Sequence, residues 1–460
     1  MTLDAEPDLS DRLFSDFDFS NGAVAAVSGG SDSTALLLLL KDHIDRIRPA
    51  ARLLAVTIDH GLRPDSAAEA RAVAALCAGF GIAHRILTWD GPKPSSGLPA
   101  AAREARYRLL AKAAEEEGIG LVVTGHTADD QAETVLMRQA RDDGRGLAGM
   151  APATLYDWRT WIVRPLLGAR RAALREMLRR RKVDWIEDPT NIDTRFERPR
   201  MRTRLAGGDG ERRFAQAIAE AGQAAAEREA IGRRAAVLIS AFASRPVSGL
   251  IRLDRDFADT EDGGQDRGAA IYALRILLAT VGGVAFLPGE GRCRALLERL
   301  RAGSLCATLS RTVVDARRTG IFLHRESRDV PSAAPATDNR LWDGRRRITL
   351  SDSPDGLVIA PLGLAAAKQT HGGGPAPASL ARAALAAEPA IWRGGECLGF
   401  AGDIRLPQTI AIMPAVAPFA RFLPSFDLTP AAAVAALVGA PPLPALLFRG
   451  PDDQRAWAKA

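Results

Sequence analysis

Cysteine is sparse in this sequence, and the little there is does not pair. Cys77, Cys293, Cys306 and Cys397 are widely separated, with no CxxC anywhere. That argues against a zinc ribbon, a metal cluster or a disulfide framework. Aromatic side chains make up only 5% of the 460 residues, so the core must be assembled from aliphatic side chains and abundant alanine, a composition suited to closely packed helices. No apolar run reaches the roughly 18 residues that a membrane-spanning helix needs; Ala35 to Leu40 is far too short. The N-terminal stretch is acidic and polar, without the pattern of a secretory signal. The expectation is a cytoplasmic protein with no membrane partner. Acidic residues are slightly outnumbered, 55 against 61 Lys and Arg, for a net charge of +6. That excess suits a polyanionic partner and equally suits arginine-rich surface helices. The length predicts two or three domains.

The most informative segment present is Ser28-Gly29-Gly30-Ser31-Asp32-Ser33, between an apolar run from Val24 to Val27 and another from Ala35 to Leu40. The pattern reads strand, tight turn, helix start. Adjacent glycines let the backbone approach a ligand with no Cβ in the way. The N–H groups of the turn and of the helix N-terminus offer an anion site, and Ser31, Ser33 and Thr34 add hydroxyls. Asp32 is out of place in a bare anion nest, but fits if it holds a hard cation such as Mg2+. An ordinary strand-to-helix turn with Ser and Asp caps would read the same way. No lysine follows the glycines and no GxGxxG is present, so neither of those phosphate-binding patterns applies.

The first two hundred residues alternate strand and helix patterns. Strands are predicted at 23–27, 53–59, 83–89 and 121–124, with a weaker one at 161–163; helices at 33–47, 66–80, 100–117, 128–140 and 169–182. The predicted fold class is α/β, a doubly wound parallel sheet, with a helical connector and a smaller C-terminal α+β accessory region. In such a sheet, ligands bind at the carboxyl ends of the strands. Three special segments each follow a strand end: the glycine turn, Asp59-His60-Gly61-Leu62-Arg63, and Thr124-Gly125-His126. The expected division is residues 1–205, a catalytic domain; 206–330, a helical connector and accessory unit; and 331–460, of unassigned role. Within the second division, 306–314 and 320–324 read as strands.

Thr127 to Thr134 (TADDQAET) reads as a helix start. Asp130 and Glu133 share a face, and like charges so placed repel unless a cation lies between them. Acidic residues in a first turn also simply favour the helix dipole. His126 ends the strand, where it could bond a phosphate or serve as an ordinary structural residue. Arg103 and Arg106 share a face of the preceding helix, suited to clamping phosphate or to solvent exposure. Arg171, Arg175, Arg179 and Lys182 lie on one face of an amphipathic helix, followed by Arg195, Arg198, Arg200, Arg202 and Arg204. That density is the strongest nucleic-acid signal in the chain, with a solvated charged face as the alternative.

Taken together, SGGSDS, Asp59 to Arg63, Arg103 to Tyr107, Thr124 to Met137, Gly146 to Met150, Arg164 to Leu167 and Trp185 to Asn191 resemble the tRNA(Ile)-lysidine synthetase family of PP-loop ATP pyrophosphatases. The resemblance is close over 21–204, weaker over 249–326 and very weak beyond 340. It implies an adenine nucleotide alpha hydrolase-like domain and a ligase. ATP would adenylate the wobble cytidine of an isoleucine tRNA with a CAU anticodon. The amine of L-lysine would then replace AMP at C2, giving lysidine. By resemblance, Ser28, Gly29, Gly30, Ser31, Asp32, Ser33 and His126 hold ATP, with Mg2+ at Asp32 and Asp130. Asp32, Arg106, Asp130, Glu133 and Arg198 serve ATP, lysine and catalysis. Thr127 and Pro199 depart from the family pattern, as does the acidic segment 139–145. A homodimer is an open arrangement. Two other readings stay open: a PP-loop tRNA 2-thiolation enzyme, which would need cysteines to deliver sulfur, and a non-catalytic tRNA-binding protein.

Overall fold

The computed structural model describes residues 6–141, 144–187, 197–259, 265–351, 356–370, 376–401, 403 and 406–448. Asp188 to Asn191 and Arg195 lie outside the described residues. The chain divides into two compact units: 1–228 with 424–426 and 444–460, and 229–423 with 427–443.

In the first unit, short apolar runs form β1 (Ala23–Ala26), β2 (Leu53–Asp59), β3 (Ala83–Thr88), β4 (Leu121–Thr124), β5 (Ala153–Tyr156) and β6 (Thr160–Val163). These run in the order β5-β6-β4-β1-β2-β3. All neighbouring pairs are parallel except β5 with β6. The centre is built from small side chains, with Ala25 opposite Ala55 on one side and Val123 on the other. The order reverses around β1, which creates the switch point where open α/β sheets bind ligands.

Among the described residues, eight α-helices belong to this unit or leave it: α1 (Glu6–Phe14), α2 (Ser31–Ile47), α3 (Ser66–Gly79), α4 (Leu98–Glu116), α5 (Ala128–Gln139), α6 (Arg171–Arg180), α7 (Glu197–Ala206) and α8 (Gly210–Phe242). The run Ala35 to Leu40 in α2 is buried on every side, as expected of a helix with no polar face over that stretch. α1 and α6 both pack against α2. The division between the units falls inside α8, whose N-terminal half packs Ala217 and Ala221 against Ala132 and Val135 of α5.

In the second unit, β7 (Ala243–Val247), β8 (Leu250–Leu253), β9 (Leu305–Leu309), β10 (Thr312–Arg317) and β11 (Gly320–Arg325) form an antiparallel sheet in the order β7-β8-β11-β10-β9. The helices α9 (Gln265–Gly282) and α10 (Glu290–Arg301) belong to the same unit. Two smaller antiparallel sheets follow, around a core of Trp342, Ile348, Ile359, Ile391 and Ile410.

Two departures from the sequence reading share one cause. The single strand expected over 306–314 is a hairpin, β9 and β10, and β5 was not expected at all. Both hairpins turn on paired non-glycine residues with left-handed backbone: Ser310 and Arg311 (φ 51° and 61°), Asp157 and Trp158 (φ 51° and 62°). Such turns usually announce themselves by Asn-Gly or Asp-Gly, and neither does so here.

Candidate active site

The glycine turn sits at the carboxyl end of β1. Gly29 has φ +85°, and a Cβ there would lie 2.6 Å from Ile186 Cδ1 and 3.0 Å from Val73 Cγ2. Ile186 also donates its N–H to the Gly29 carbonyl at 2.8 Å, so 185–187 lies strapped against the turn. Within the turn, Ser28 N–H donates to Ser33 Oγ at 3.1 Å, and Ser33 Oγ–H to the Gly30 carbonyl at 3.1 Å. Gly30 caps α2 without a side chain, which leaves the first-turn N–H groups of α2 without a side-chain cap. Gly125 is needed for a second close approach: a Cβ there would fall 2.9 Å from the Asp32 carbonyl oxygen.

Ser28 and Gly30 line a cavity of about 510 Å³, together with His60, Arg63, Arg106 and apolar residues from β2 and α3. This volume suits a nucleotide. Arg63 donates to Glu69 at 2.7 Å. His60 Nδ1 is buried without a hydrogen-bond partner among the described residues. Burial, then the charge of Arg106, holds the His60 imidazole below its ordinary value. His126 is held well below its own, first by burial and then by Arg164, Arg106, Arg103 and Arg198. Its Nδ1 lies 3.0 Å from Thr124 Oγ1, which itself donates to the Val163 carbonyl at 3.2 Å. The Thr124 hydroxyl proton is thereby spent, so we assign the imidazole proton to Nδ1 and leave Nε2 as a lone-pair acceptor.

Asp32, Asp130 and Glu133 converge on arginine. Arg171 Nε–H donates to Asp32 at 2.8 Å and an Nη2–H to Asp130 at 3.0 Å, while Nη1 lies 3.6 Å from Glu133. Arg202 Nε–H donates to Glu133 Oε1 at 2.7 Å. Glu133 is 1% exposed, and its Oε2 has no hydrogen-bond partner among the described residues. Among the described residues, three carboxylates against two guanidinium groups leave one negative charge over. Burial raises the Asp32 and Glu133 carboxyls, and the arginines do not fully offset it. Burial opposes the Arg171 charge, but Asp130 and Asp32 outweigh it and hold the guanidinium above its ordinary value. Asp130 also closes a capping box with Thr127, accepting from Thr127 N–H at 3.0 Å, which fixes its rotamer. Asp129 accepts from the backbone N–H of Arg171 at 2.7 Å and so docks the start of α6 on α5.

The sequence reading placed Arg171 on an exposed RNA face; the structure turns it inward, because the carboxylates of Asp32, Asp130 and Glu133 lie opposite. Arg175 also reaches the glycine turn, at 3.2 Å from Ser31 Oγ. Arg175 and Arg179 both lie over the Trp185 ring, at 5.6 and 5.8 Å. Arg198 is exposed and belongs to the positive surroundings of His126. Arg202, read only as part of a basic run, is the arginine that meets Glu133. Its signal lies in the three- and four-residue spacing of α7, visible only once the helix is docked. The pair Asp32 and Asp130 is bridged by Arg171, and no cluster of three metal-binding side chains occurs among the described residues. Cys77, the cysteine of this unit, is buried with its thiol pushed up to about 11, which makes it a poor sulfur carrier.

A mostly parallel sheet with a glycine turn at its switch point, a nucleotide-sized cavity and adjacent carboxylates defines a PP-loop protein, and the family model described as PP-loop domain matches residues 8–207. A protein from Mesorhizobium japonicum (strain LMG 29417 / CECT 9101 / MAFF 303099) named tRNA(Ile)-lysidine synthase is 65% identical, over 96% of this chain and 98% of its own. One of the same name from Brucella melitensis biotype 2 (strain ATCC 23457) is 37% identical, over 91% of this chain and 95% of its own. The chain belongs to the tRNA(Ile)-lysidine synthase family. A solved U34-tRNA thiolase, NcsA from Methanococcus maripaludis with its [4Fe-4S] cluster, is 15% identical with a TM-score of 0.41, covering 47% of this chain and 77% of its own. No helix among the described residues is long and apolar enough to cross a membrane.

Proposed function

We propose that this chain joins L-lysine to the wobble cytidine of an isoleucine tRNA with a CAU anticodon, at the expense of ATP. ATP occupies the cavity of Ser28, Gly30 and Arg106, its phosphates facing the turn and the N-terminus of α2. The cytidine O2 attacks the α-phosphate, the bond to the β-phosphate breaks and diphosphate leaves. The amine of lysine then attacks C2 and AMP departs with the former O2.

The observation that carries this reading is the surplus negative charge around Glu133, directly beside the phosphate turn. An ATP-cleaving site has no need of a buried carboxylate oxygen left without a partner among the described residues; an ammonium substrate does. Glu133 Oε2 receives the ammonium, and its raised carboxyl suits it to take the proton that the amine must lose before attack. Asp32 and Asp130 are the oxygen donors that would hold Mg2+, whose chemistry is to neutralise charge on the departing diphosphate. Arg198 and the exposed arginines of α6 meet tRNA phosphates.

The test is the nucleoside profile of the tRNA after incubation with enzyme, ATP and labelled lysine. Label in a modified cytidine is expected. Sulfur incorporation without lysine label would select thiolation, and tRNA binding without AMP release would select a binding module.

A further inference from the structure

Among the described residues of the C-terminal unit, one buried cluster holds more positive charge than it neutralises. Arg311, Arg325 and Arg345 share the carboxylate of Asp343, at 2.6, 3.1 and 2.9 Å. Arg345 and Arg346 share Glu388: Arg345 Nη1–H donates to Oε1 at 2.6 Å and Arg346 Nε–H to Oε2 at 2.8 Å. The side chains of Asp343, Glu388 and Arg325 have no exposed surface, and those of Arg345 and Arg346 only 4% and 6%. Four guanidinium groups therefore meet two carboxylates. Backbone carbonyls, such as Arg328 O at 2.9 Å from Arg325 Nη1, satisfy donors but carry no net charge. The Arg311 side chain is 33% exposed and solvated, so three buried guanidinium groups face two buried carboxylates, and among the described residues one positive charge is left over; in so dry a place that is costly unless a further anion joins it.

Beside this network lies a cavity of about 30 Å³, above the roughly 10–15 Å³ that one water needs. Its walls, among the described residues, include Arg245, Arg345, Arg346 and Thr280 and no carboxylate, with Glu388 standing behind Gly249, where a Cβ would lie 2.8 Å from Oε1. Thr280 is 5% exposed and its hydroxyl has no hydrogen-bond partner among the described residues. Arg245 is exposed and gives the cavity a route to solvent. Its guanidinium lies against Gly439, where φ is +72° and a Cβ would fall 2.9 Å from Nη2. Burial, with Arg345 and Arg245 beside it, holds Arg346 below its ordinary value in spite of Glu388.

We propose that this cavity binds a small inorganic monovalent anion of chloride size, held by Arg346, Arg245 and the hydroxyl of Thr280. The anion offsets the one buried positive charge left over in this cluster. A nucleic-acid phosphate, with two ester arms to accommodate, is too large for this space.

The test uses the full-length protein in two measurements. Crystals grown in sodium bromide are expected to show an anomalous peak in the cavity, within about 3.5 Å of Arg346 and the Thr280 hydroxyl. The melting temperature is expected to be a few degrees higher in sodium chloride than in sodium gluconate of equal ionic strength, saturating with chloride. Arg245→Met, at an exposed position, should lose that rise while melting normally in gluconate; Thr280→Val should reduce it. Water alone in the cavity, equal melting in the two salts, or a full chloride response in both variants would overturn the proposal. Stabilisation by tRNA but not by chloride, lost in Arg245→Met, would overturn it in favour of an RNA contact.

Discussion

Arg171 ties the first turn of α2 to the first turn of α5: its Nε–H reaches Asp32 at 2.8 Å and an Nη2–H reaches Asp130 at 3.0 Å. One guanidinium thus stands where carboxylates from two separate motifs converge. A cationic ligand entering that space has to share it with Arg171 or displace it.

Asp32→Asn should abolish ATP–diphosphate exchange, a loss of at least about 100-fold, because it removes both an oxygen ligand for the cation and a partner of a buried guanidinium. Exchange near the normal rate would take Asp32 out of the mechanism.

Glu133→Gln should raise the KM for lysine by roughly 30-fold or more, from the ~2–5 kcal/mol typical of removing one member of a buried charge pair, with tRNA affinity unchanged. A lysine KM that stays put would put the ammonium elsewhere.

The acid limb of lysine incorporation should lie above the ordinary carboxylate range, since burial raises Glu133 from 4.5 and only its ionised form holds an ammonium. Arg171→Met removes one of the cations opposing that shift, so the limb should move to still higher pH. In stability the sign is opposite. A raised carboxyl favours the protonated form in the fold, so its contribution is present below about pH 4.5 and is lost as pH rises through the folded value. A pH–rate profile in which the Arg171→Met limb does not move would detach Glu133 from that step.

Gly29→Ala should destabilise the N-terminal unit by about 1–3 kcal/mol, because the left-handed backbone and the 2.6 Å approach to Ile186 Cδ1 leave no room for a methyl group. Denaturant titration reads this directly; Gly61→Ala, with nothing within 4 Å, is the control for backbone strain alone.

Neutralising Arg179 should lower the salt slope of tRNA binding by about one and spare ATP–diphosphate exchange. Arg171→Met should do the reverse, because its charge is spent on Asp32 and Asp130. Equal effects from the two would mean that α6 does not separate an RNA-facing side from a site-facing side.

The alternation of β1 to β4 and β6 with α2 to α6, and the glycine turn, were legible in the sequence, because short apolar runs, glycine pairs and helix starts are local signals. So was the pairing of Asp130 with Glu133, which follows from helical spacing alone. What the chain could not declare locally was left to tertiary packing. Arg171 looks like its neighbours Arg175 and Arg179 along the chain. Its inward direction depends on Asp32, 139 residues away, and on Asp129 anchoring α6 to α5. Arg202 became the partner of Glu133 in the same way. The buried arginine excess around Asp343 and Glu388 joins residues far apart in sequence, so no window of sequence contains its charge imbalance. Local stereochemistry fixed where the phosphate turn would be; long-range electrostatics decided which arginines close around it.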